Sequence, residues 1–200
     1  FLATKISFIN EIANICDLTG ADVKIISMAL GLDYRISPRF LNPGVGYGGS
    51  CFPKDVKALI QTAAEKGYQA KLFEEVDALN ERQKNIIVKK VEERFDHDLK
   101  GKTFSILGLS FKPKTNDMRE APAITIIQEL LAKGANLKVF DPCAMEDAKK
   151  LFNSKVTYCS SVEETAVDSS ALVLVTEWDE FRSINFAELS KVMKEKIIFD

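Results

Sequence analysis

The second half of the chain alternates short apolar segments with segments of helical periodicity. One apolar run ends at Gly108, and another ends at Asp141 and Pro142. The whole series predicts strands at 102–108, 136–140, 156–158, 171–175 and 197–199, with helices at 121–133, 145–152, 161–166 and 186–193. Strands that alternate with helices at this spacing indicate a parallel, doubly wound sheet of the Rossmann-like α/β class.

The first half has helical periodicity only. Residues 6–16 carry two apolar stripes, which indicates a helix buried between neighbours. Shorter helices are predicted at 22–31 and 53–65, on either side of a loop rich in Gly and Pro. The chain is therefore expected to be α/β overall, with an all-α domain at 1–98 and a sheet domain at 99–200.

Residues 72–95 form the longest periodic segment. Apolar side chains recur there at helical spacing, from Leu72 to Phe95. A single helix of this length would span roughly 35 Å, at about 1.5 Å per residue. Such a helix either connects two domains, forms a dimer seam or serves as an ordinary core helix, and periodicity alone does not separate these roles.

Composition excludes some classes of partner. The formal net charge is −2, which gives no sign of a surface for nucleic acid or for a membrane. No apolar run approaches the roughly 18 residues that span a bilayer. The first residues lack the pattern of a secretory signal and resemble the middle of a helix, so the sequence is expected to be a fragment.

The cysteines do not form a metal site. The four of them show no CxxC spacing, and His97 is the only histidine, so no metal ion is expected. A chain of this size and apolar content does not need disulfides. These observations favour a reducing, cytoplasmic setting.

A glycine-rich run leads to one cysteine at the predicted start of a helix. After Gly44, Gly46, Gly48 and Gly49, the sequence continues Ser-Cys-Phe-Pro-Lys-Asp, residues 50–55. Pro suits the first turn of a helix, and the free N–H groups there stabilise a thiolate at Cys51. Lys54 adds positive charge, and Asp55 lies one turn away. A buried structural thiol is the alternative, and residue chemistry alone leaves the two even.

The loop after the first predicted strand is a second candidate site. It does not have the GxGxxG pattern, but Lys112, Lys114 and Arg119 can serve phosphate and Phe111 can stack on a base. A solvated basic loop is the alternative. Asp141 is placed either to read a ribose hydroxyl or to cap the turn before Pro142, and the residues alone suggest that this domain binds NAD.

The motifs together resemble a known family, the nucleotide-sugar dehydrogenases that act on UDP-glucose or GDP-mannose. The resemblance covers essentially the whole chain. It rests on Phe1-Leu2-Ala3, Thr19 to Val23, Arg35-Ile36, Gly48 to Asp55, Ile106 to Lys112, Asp117 to Glu120 and Val175 to Trp178. It implies oxidation of a sugar C6 alcohol to a carboxylate with two NAD, which turns UDP-glucose into UDP-glucuronate.

The resemblance also assigns roles to residues. Cys51 would be the nucleophile that forms a thiohemiacetal and then a thioester, and Asp55 would orient or activate water. Cys51 and Arg119 would meet NAD, while the last domain would bind UDP through Phe111 and Lys112. The remaining substrate-binding positions would be Arg35, which reaches the partner subunit's substrate, and Phe40, Leu41, Asn42, Gly44, Val45, Gly46, Tyr47 and Gly48.

Some properties of the family have no match in this chain. Its amino-terminal Rossmann domain, its oxyanion Lys and Asn and a later substrate Arg lie outside the sequence, so the chain alone is expected not to turn over UDP-glucose. A homodimer through the helices at 6–16 and 72–95 is implied. GDP-mannose as substrate remains an alternative, as does a non-catalytic dimerisation and nucleotide-binding module. Ser50 argues against relatives that act on N-acetylated sugars.

Overall fold

The computed structural model describes residues 1–200 in two compact units. Phe1–Lys84 form the helical unit and Asn85–Asp200 form the sheet unit. The sequence predicts a domain boundary later, at residues 98 and 99. The helices of the first unit are α1 (Leu2–Thr19), α2 (Val23–Gly31), α3 (Phe52–Glu65) and α4 (Lys71–Gln83).

Local signals set the ends of these helices. Gly20 ends α1 in the left-handed conformation, with φ of 74°, and its amide donates to the carbonyl of Cys16. The Asp22 carboxylate begins α2 by accepting from the amide of Lys24 at 2.7 Å. Pro53 lies in the first turn of α3, where its missing N–H needs no partner. The predicted boundaries of α2 and α3 are confirmed to within one residue, whereas α1 extends three to four residues beyond the predicted 6–16 at each end.

Only one of the two apolar stripes on α1 is buried within the chain. Ile9 and Cys16 are covered by the other helices, and α1 packs against α2 and α4. Phe8 and Ile15 remain 48% and 50% exposed. The expectation of a helix buried on both stripes is therefore wrong for the single chain, because no element of the helical unit covers the second one.

The segment 72–95 is two helices rather than one. α4 ends at Gln83, a turn follows at Lys84 and Asn85, and α5 (Ile86–Arg94) begins the sheet unit. Asn favours helix ends because its short amide competes for backbone hydrogen bonds. The prediction of one long connecting helix is therefore corrected, since the apolar periodicity continues across a break that it does not reveal.

The sheet unit contains five parallel strands and four further helices. After α5, its elements are β1 (Thr103–Leu107), α6 (Pro122–Ala132), β2 (Asn136–Phe140), α7 (Met145–Phe152), β3 (Thr157–Tyr158), α8 (Val162–Ala166), β4 (Ala171–Leu174), α9 (Phe186–Val192) and β5 (Ile198–Phe199), with short 3-10 turns at Asn153–Lys155 and Asp179–Ser183. The strands lie in the order β3-β2-β1-β4-β5. The central strand, β1, pairs with β2 along its whole length, from Thr103 opposite Asn136 to Leu107 opposite Phe140.

This topology confirms the doubly wound α/β fold. Phe104, Ile106 and Leu107 of β1 have no measurable exposure, as expected for a central strand covered on both faces. The strand order reverses between β1 and β4. Ligands of such sheets bind beyond the carboxyl ends of the strands at this reversal, which draws attention to the loop that follows Leu107.

Candidate functional site

A lysine of α1 secures the first part of the loop between α2 and α3. Lys5 Nζ donates to the carbonyl oxygens of Ile36, Ser37 and Arg39 at 2.8, 3.1 and 2.5 Å. An irregular segment has no helix or sheet in which to satisfy its carbonyls, so one ammonium group with several donors replaces that regular pairing. The loop therefore has a defined path before it reaches the glycines.

Side-chain amides secure the glycine-rich part of the same loop. The amide N–H of Gly44 donates to Asn10 Oδ1 at 2.8 Å, and Gln83 Nε2 donates to the Gly44 carbonyl at 2.7 Å. The amide N–H of Tyr47 donates to Asn80 Oδ1 at 2.8 Å, and Asn80 Nδ2 donates back to the Tyr47 carbonyl at 3.0 Å. Helices α1 and α4 thus hold the backbone of this loop from both sides.

An aromatic contact connects the glycine-rich loop to the start of α3. The ring of Tyr47 lies edge-on to that of Phe52, with centroids 5.8 Å apart, and Phe40 lies 6.1 Å from the same ring. Burial raises the pKa of Tyr47 to about 12, with smaller contributions from Asp77 and Glu81. The buried Tyr47 hydroxyl has no hydrogen-bond partner. Tyr47 therefore contributes through the packing of its ring and not through a hydrogen bond of its hydroxyl.

Cys51 is the exposed thiol at the start of α3. It precedes Phe52, its carbonyl accepts from the amide of Asp55 at 2.9 Å, and its Sγ lies 3.7 Å from Ser50 Oγ. The Asp55 carboxylate pairs with Lys54 at 3.3 Å on the exposed surface. The predicted nucleophile, cation and carboxylate thus share one helical turn, and the thiol is accessible, unlike a core cysteine.

Arg35 is held in place by a carboxylate two residues before it. Its Nε lies 3.0 and 3.2 Å from the two carboxylate oxygens of Asp33, and one terminal nitrogen lies 2.5 Å from Oδ2. This side-on contact lowers the pKa of Asp33. The Arg35 side chain is 74% exposed. The guanidinium plane is therefore oriented while much of it remains accessible.

The other predicted substrate residues of the helical unit lie along this loop. Leu41 is buried, and its carbonyl accepts from Ser27 Oγ at 2.5 Å. Gly46 has φ of 99°, a backbone conformation that favours glycine. The remaining predicted positions, Asn42, Val45 and Gly48, flank these anchored residues.

The loop after β1 carries the predicted nucleotide residues of the sheet unit. The amide of Phe111 donates to the carbonyl of Asp117 at 3.0 Å, and Ser110 Oγ donates to the carbonyl of Lys112 at 2.9 Å. Lys112 Nζ lies 5.3 Å from the centre of the Phe111 ring. The ring and the ammonium group, suited to a base and a phosphate, are therefore adjacent at the carboxyl end of the sheet.

Arg119 repeats the arrangement seen at Arg35. Its Nε lies 3.0 and 3.1 Å from the carboxylate oxygens of Asp117, and a terminal nitrogen lies 2.7 Å from Oδ2. The hydrogen bond to Arg119 lowers the pKa of Asp117. Both residues line an open cleft of about 640 Å³ against α7, whose wall includes Asp147 and Lys150.

Asp141 is a structural carboxylate. It is fully buried, and Oδ2 accepts from the amides of Leu109 and Ser110 at 2.7 and 3.1 Å and from Trp178 Nε1 at 3.2 Å. Oδ1 accepts from the amides of Cys143 and Ala144, both at 2.8 Å. Its oxygens are occupied by the protein itself, so capping is its role and a ribose hydroxyl is not its partner.

Sequence reasoning missed the amides that position the glycine-rich loop. Asn10, Asn80 and Gln83 are buried, although their residue types favour the surface. The available signal was their spacing, since Asn80 and Gln83 each follow a buried residue of the same apolar stripe by four positions. A polar residue within an apolar stripe indicates a specific partner, although the stripe does not say which one.

Three further properties bear on the kind of protein this is. No helix combines enough length with enough hydropathy to cross a membrane. No group of three or more His, Cys, Asp or Glu side chains is arranged to hold a metal ion. The four cysteines are all free thiols, with Cys51 and Cys143 exposed.

Both units match models of one enzyme family. Residues 1–82 match the central domain of the UDP-glucose/GDP-mannose dehydrogenase family, and residues 105–200 match its UDP-binding domain. The matched residues thus comprise a central domain and a UDP-binding domain of one family. The chain belongs to the UDP-glucose/GDP-mannose dehydrogenase family.

Curated relatives point to one branch of this family. The chain is 45% identical over 200 residues to UDP-glucose 6-dehydrogenase TuaD of Bacillus subtilis, covering 100% of this chain and 43% of that protein. It is 43% identical over 201 residues to UDP-glucose 6-dehydrogenase of Rickettsia bellii, covering 46% of that protein. The chain therefore spans less than half the length of these relatives.

Solved structures agree with the architecture. The UDP-glucose dehydrogenase of Pyrobaculum islandicum matches with a TM-score of 0.91 at 32% identity, over 100% of this chain and 48% of that one. The GDP-mannose dehydrogenase of Pseudomonas aeruginosa matches with a TM-score of 0.62 at 31% identity, over 90% of this chain and 43% of that one. These similarities support the fold of both units.

Proposed function

We propose that this chain provides the thiol-bearing and UDP-binding parts of a UDP-glucose 6-dehydrogenase in a reducing, cytoplasmic setting. The observation that carries the proposal is Cys51, an exposed thiol at a helix start directly after a glycine-rich loop with a secured backbone. The relatives at 40–45% identity that are called UDP-glucose 6-dehydrogenases support the choice of substrate. The reaction is oxidation of the C6 alcohol of UDP-glucose to the carboxylate of UDP-glucuronate.

Cys51 serves the second half of this reaction. The first oxidation converts the alcohol to an aldehyde. The Cys51 thiolate then forms a C–S bond to the aldehyde carbon, and the aldehyde oxygen takes up a proton. Loss of hydride and of that proton leaves a thioester. Water attacks the carbonyl carbon, the C–S bond breaks, and carboxylate and thiol are released. Asp55 is the carboxylate of this chain suited to orient or activate that water.

NAD is the oxidant in this proposal, and when bound it would supply the acceptor for the hydride lost in each of the two oxidations. The residues present fit a dinucleotide, because Arg119 supplies an exposed guanidinium beside an open cleft of about 640 Å³. Arg119 and Cys51 are the residues of this chain expected to contact it. The chemistry at Cys51 needs the cofactor to approach the C6 carbon, and an exposed thiol permits that approach.

The nucleotide end of the substrate is assigned to the sheet unit. Phe111 offers a ring for the uracil base and Lys112 an ammonium for phosphate, and both lie beyond the carboxyl end of β1. The sugar end is assigned to the loop that contains Phe40, Leu41, Asn42 and residues 44–48. GDP-mannose is the second candidate, favoured by the match to the Pseudomonas aeruginosa structure.

A homodimer through the helical unit belongs to the same proposal. Large apolar side chains remain exposed on α1, on α2 and just after α2, among them Leu18 at 88%, Met28 at 63% and Leu32 at 81%. In the segment 72–95, by contrast, Val76 and Val91 are buried within the chain, which leaves less of that apolar face for a partner. Arg35 would then reach the neighbouring site. Sedimentation that shows only monomer at high concentration would remove this part of the proposal.

Substitution of the thiol tests the proposed function. In the enzyme that contains this chain, we expect Cys51→Ala to reduce steady-state formation of UDP-glucuronate at least about a thousandfold, because the covalent path for the second oxidation is lost. The matched control is Cys143→Ala, which removes the other exposed thiol and should retain activity. The 200-residue chain alone should produce no NADH from UDP-glucose and NAD. Full activity of Cys51→Ala would refute the mechanism.

A comparison of the thermal shifts produced by two nucleotide sugars tests the identity of the substrate. We expect UDP-glucose to stabilise the enzyme against heating more than GDP-mannose does at equal concentration, since the ligand with the lower Kd raises the unfolding temperature further. Lys112→Ala should weaken this shift, whereas Lys114→Ala, on the same loop, should weaken it less. A larger shift with GDP-mannose would favour the second candidate.

A further inference from the structure

The glycine-rich loop lacks regular secondary structure, yet the backbone polar groups of two of its residues are fully paired. The backbone of Gly44 uses both its N–H and its carbonyl, with Asn10 and Gln83 respectively. Tyr47 also uses both, with the amide of Asn80 alone. The geometry of the Asn80 contact imitates a pair of backbone hydrogen bonds, so a side chain of α4 takes the place of a neighbouring strand.

The two amides of α4 are committed to this loop. Asn80 is 1% exposed and Gln83 is 5% exposed, and they lie three residues apart on one helical face. The other end of the Gln83 amide accepts from Asn14 Nδ2 at 2.9 Å, which fixes its orientation. Burying two amides is unfavourable unless their hydrogen bonds are made, so their placement depends on the loop and the loop depends on them.

Gly46 is in close contact with the same helix. A Cβ added at this position would lie 2.9 Å from Asn80 Oδ1 and 3.4 Å from the carbonyl oxygen of Asn80. The backbone of the loop therefore approaches α4 more closely than a residue with a side chain would allow. Such a close approach leaves the loop little freedom to shift while Asn80 is present.

The glycine-rich loop packs against the turn that carries Cys51. The ring of Tyr47 contacts Phe52, the residue that follows Cys51 and begins α3. Tyr47, Phe52 and Val76 of α4 belong to one small apolar cluster. A change in the backbone at Tyr47 is therefore transmitted by direct packing to the turn that carries Cys51.

We propose that Asn80 and Gln83 are positioning residues, which hold the backbone of residues 44–47 in the conformation that receives the sugar of the substrate. They act through the loop, without contact to the reacting atoms. This inference rests on the proposed function, since it assigns the loop to a nucleotide sugar. It predicts that the two amides affect recognition of the sugar nucleotide more than recognition of the cofactor.

Steady-state kinetics of Gln83→Met and Asn80→Ala separate positioning from simple stability. In the enzyme that contains this chain, Asn80→Ala removes two backbone hydrogen bonds and should raise KM for UDP-glucose about tenfold, whereas Gln83→Met removes one and should raise it about threefold. KM for NAD should change less than about twofold. The matched control is Gln61→Met, since Gln61 is an exposed amide of α3 that bonds only Glu65. Equal changes in both KM values would overturn the inference.

Hydrogen exchange tests the same inference without activity. In the folded chain, Asn80→Ala should accelerate exchange of the Tyr47 amide, and Gln83→Met should accelerate exchange across residues 44–47, with no change at α2 or in the sheet unit. Unchanged exchange would overturn the inference even if the proposed function holds. Accelerated exchange in an enzyme that does not use UDP-glucose would refute the proposed function and retain a positioning role for another ligand.

Discussion

The two units hold their candidate ligand loops by different means. In the helical unit, neutral amides from α1 and α4 bond the backbone at Gly44 and Tyr47. In the sheet unit, one buried carboxylate, that of Asp141, gathers amides of the loops that follow β1 and β2. The first loop is held by side-chain amides from separate helices, whereas the start of the second is held mainly by one carboxylate.

The difference follows from the geometry of the two folds. The carboxyl ends of parallel strands bring several loops to one edge of a sheet, so a single carboxylate can accept from many free N–H groups. Helices do not bring their loops to one common edge, so the backbone groups of a loop between them must form hydrogen bonds with side chains. Damage to the sheet-unit loop should therefore be concentrated at one position, while damage to the helical-unit loop should be distributed.

The largest effect is expected for Asp141→Asn. The side-chain NH2 of Asn would face N–H groups whose hydrogen bonds the carboxylate now accepts, so donors would oppose donors. We therefore expect a loss of about 4 kcal/mol in the free energy of unfolding of the sheet unit. Urea unfolding can be followed by the fluorescence of Trp178, the only tryptophan, which bonds Asp141 at 3.2 Å. The exposed Asp179→Asn is the control. Equal midpoints for both variants would show that the carboxylate is not the central contact.

Effects of intermediate size on the free energy of unfolding are expected for Gly108→Ala and Gly46→Ala, with the larger loss at Gly108. Both glycines have φ near the left-handed region, 89° and 99°. The Cβ at Gly108 would lie 2.6 Å from the backbone nitrogen of Thr176, whereas the nearest atom to a Cβ at Gly46 would be the side-chain Oδ1 of Asn80 at 2.9 Å, with backbone no closer than 3.4 Å. We expect losses of about 3 and about 1.5 kcal/mol, because backbone cannot move aside as a side chain can.

Thermal unfolding followed by circular dichroism measures this difference between the loops. The control is Gly44→Ala, where an added Cβ meets nothing within 4 Å and φ is not positive. That variant should unfold near the temperature of the unsubstituted chain. A larger loss for Gly46→Ala than for Gly108→Ala would reverse the comparison, because it would make the helical-unit loop the more rigid of the two.

The smallest effect is expected for Tyr47→Phe. The Tyr47 hydroxyl is buried without a hydrogen-bond partner, so its removal should change the free energy of unfolding at neutral pH by less than about 1 kcal/mol. The pKa of Tyr47 is raised to about 12 by burial. The unfolded chain ionises near pH 10, about two units lower. The contribution of the protonated Tyr47 hydroxyl to the free energy of unfolding is therefore complete below pH 10 and is lost as pH rises towards 12.

Thermal unfolding between pH 9 and 11.5 would reveal this component, with the pH range set by the ordinary and raised pKa values. The slope of melting temperature against pH should be shallower in Tyr47→Phe than in the unsubstituted chain. Tyr34→Phe is the control, because Tyr34 is 91% exposed. Identical slopes in all three proteins would show that Tyr47 ionises as freely in the folded state as in the unfolded state.

Most of the regular structure was predictable from local patterns. The strand Asn136–Phe140 and the helix Met145–Phe152 coincide with their predicted ranges, because alternation and capping act over a few neighbouring residues. The break at Asn85 was not predicted, since the apolar period continues through it. The loop that carries Cys51 was identified from its glycines, but the amides that secure it lie up to 39 positions away in sequence.

The sequence alone indicated the family and the residues proposed to act, through its resemblance to known enzymes, and its short spacings predicted the order of elements except for the break at Asn85. Tertiary structure decided which polar residues support them. It showed Asp141 to be a structural carboxylate, Asn80 and Gln83 to be partners of the loop, and one stripe of α1 to remain exposed. These outcomes depend on which distant groups meet when the chain packs, and no local pattern specifies such meetings.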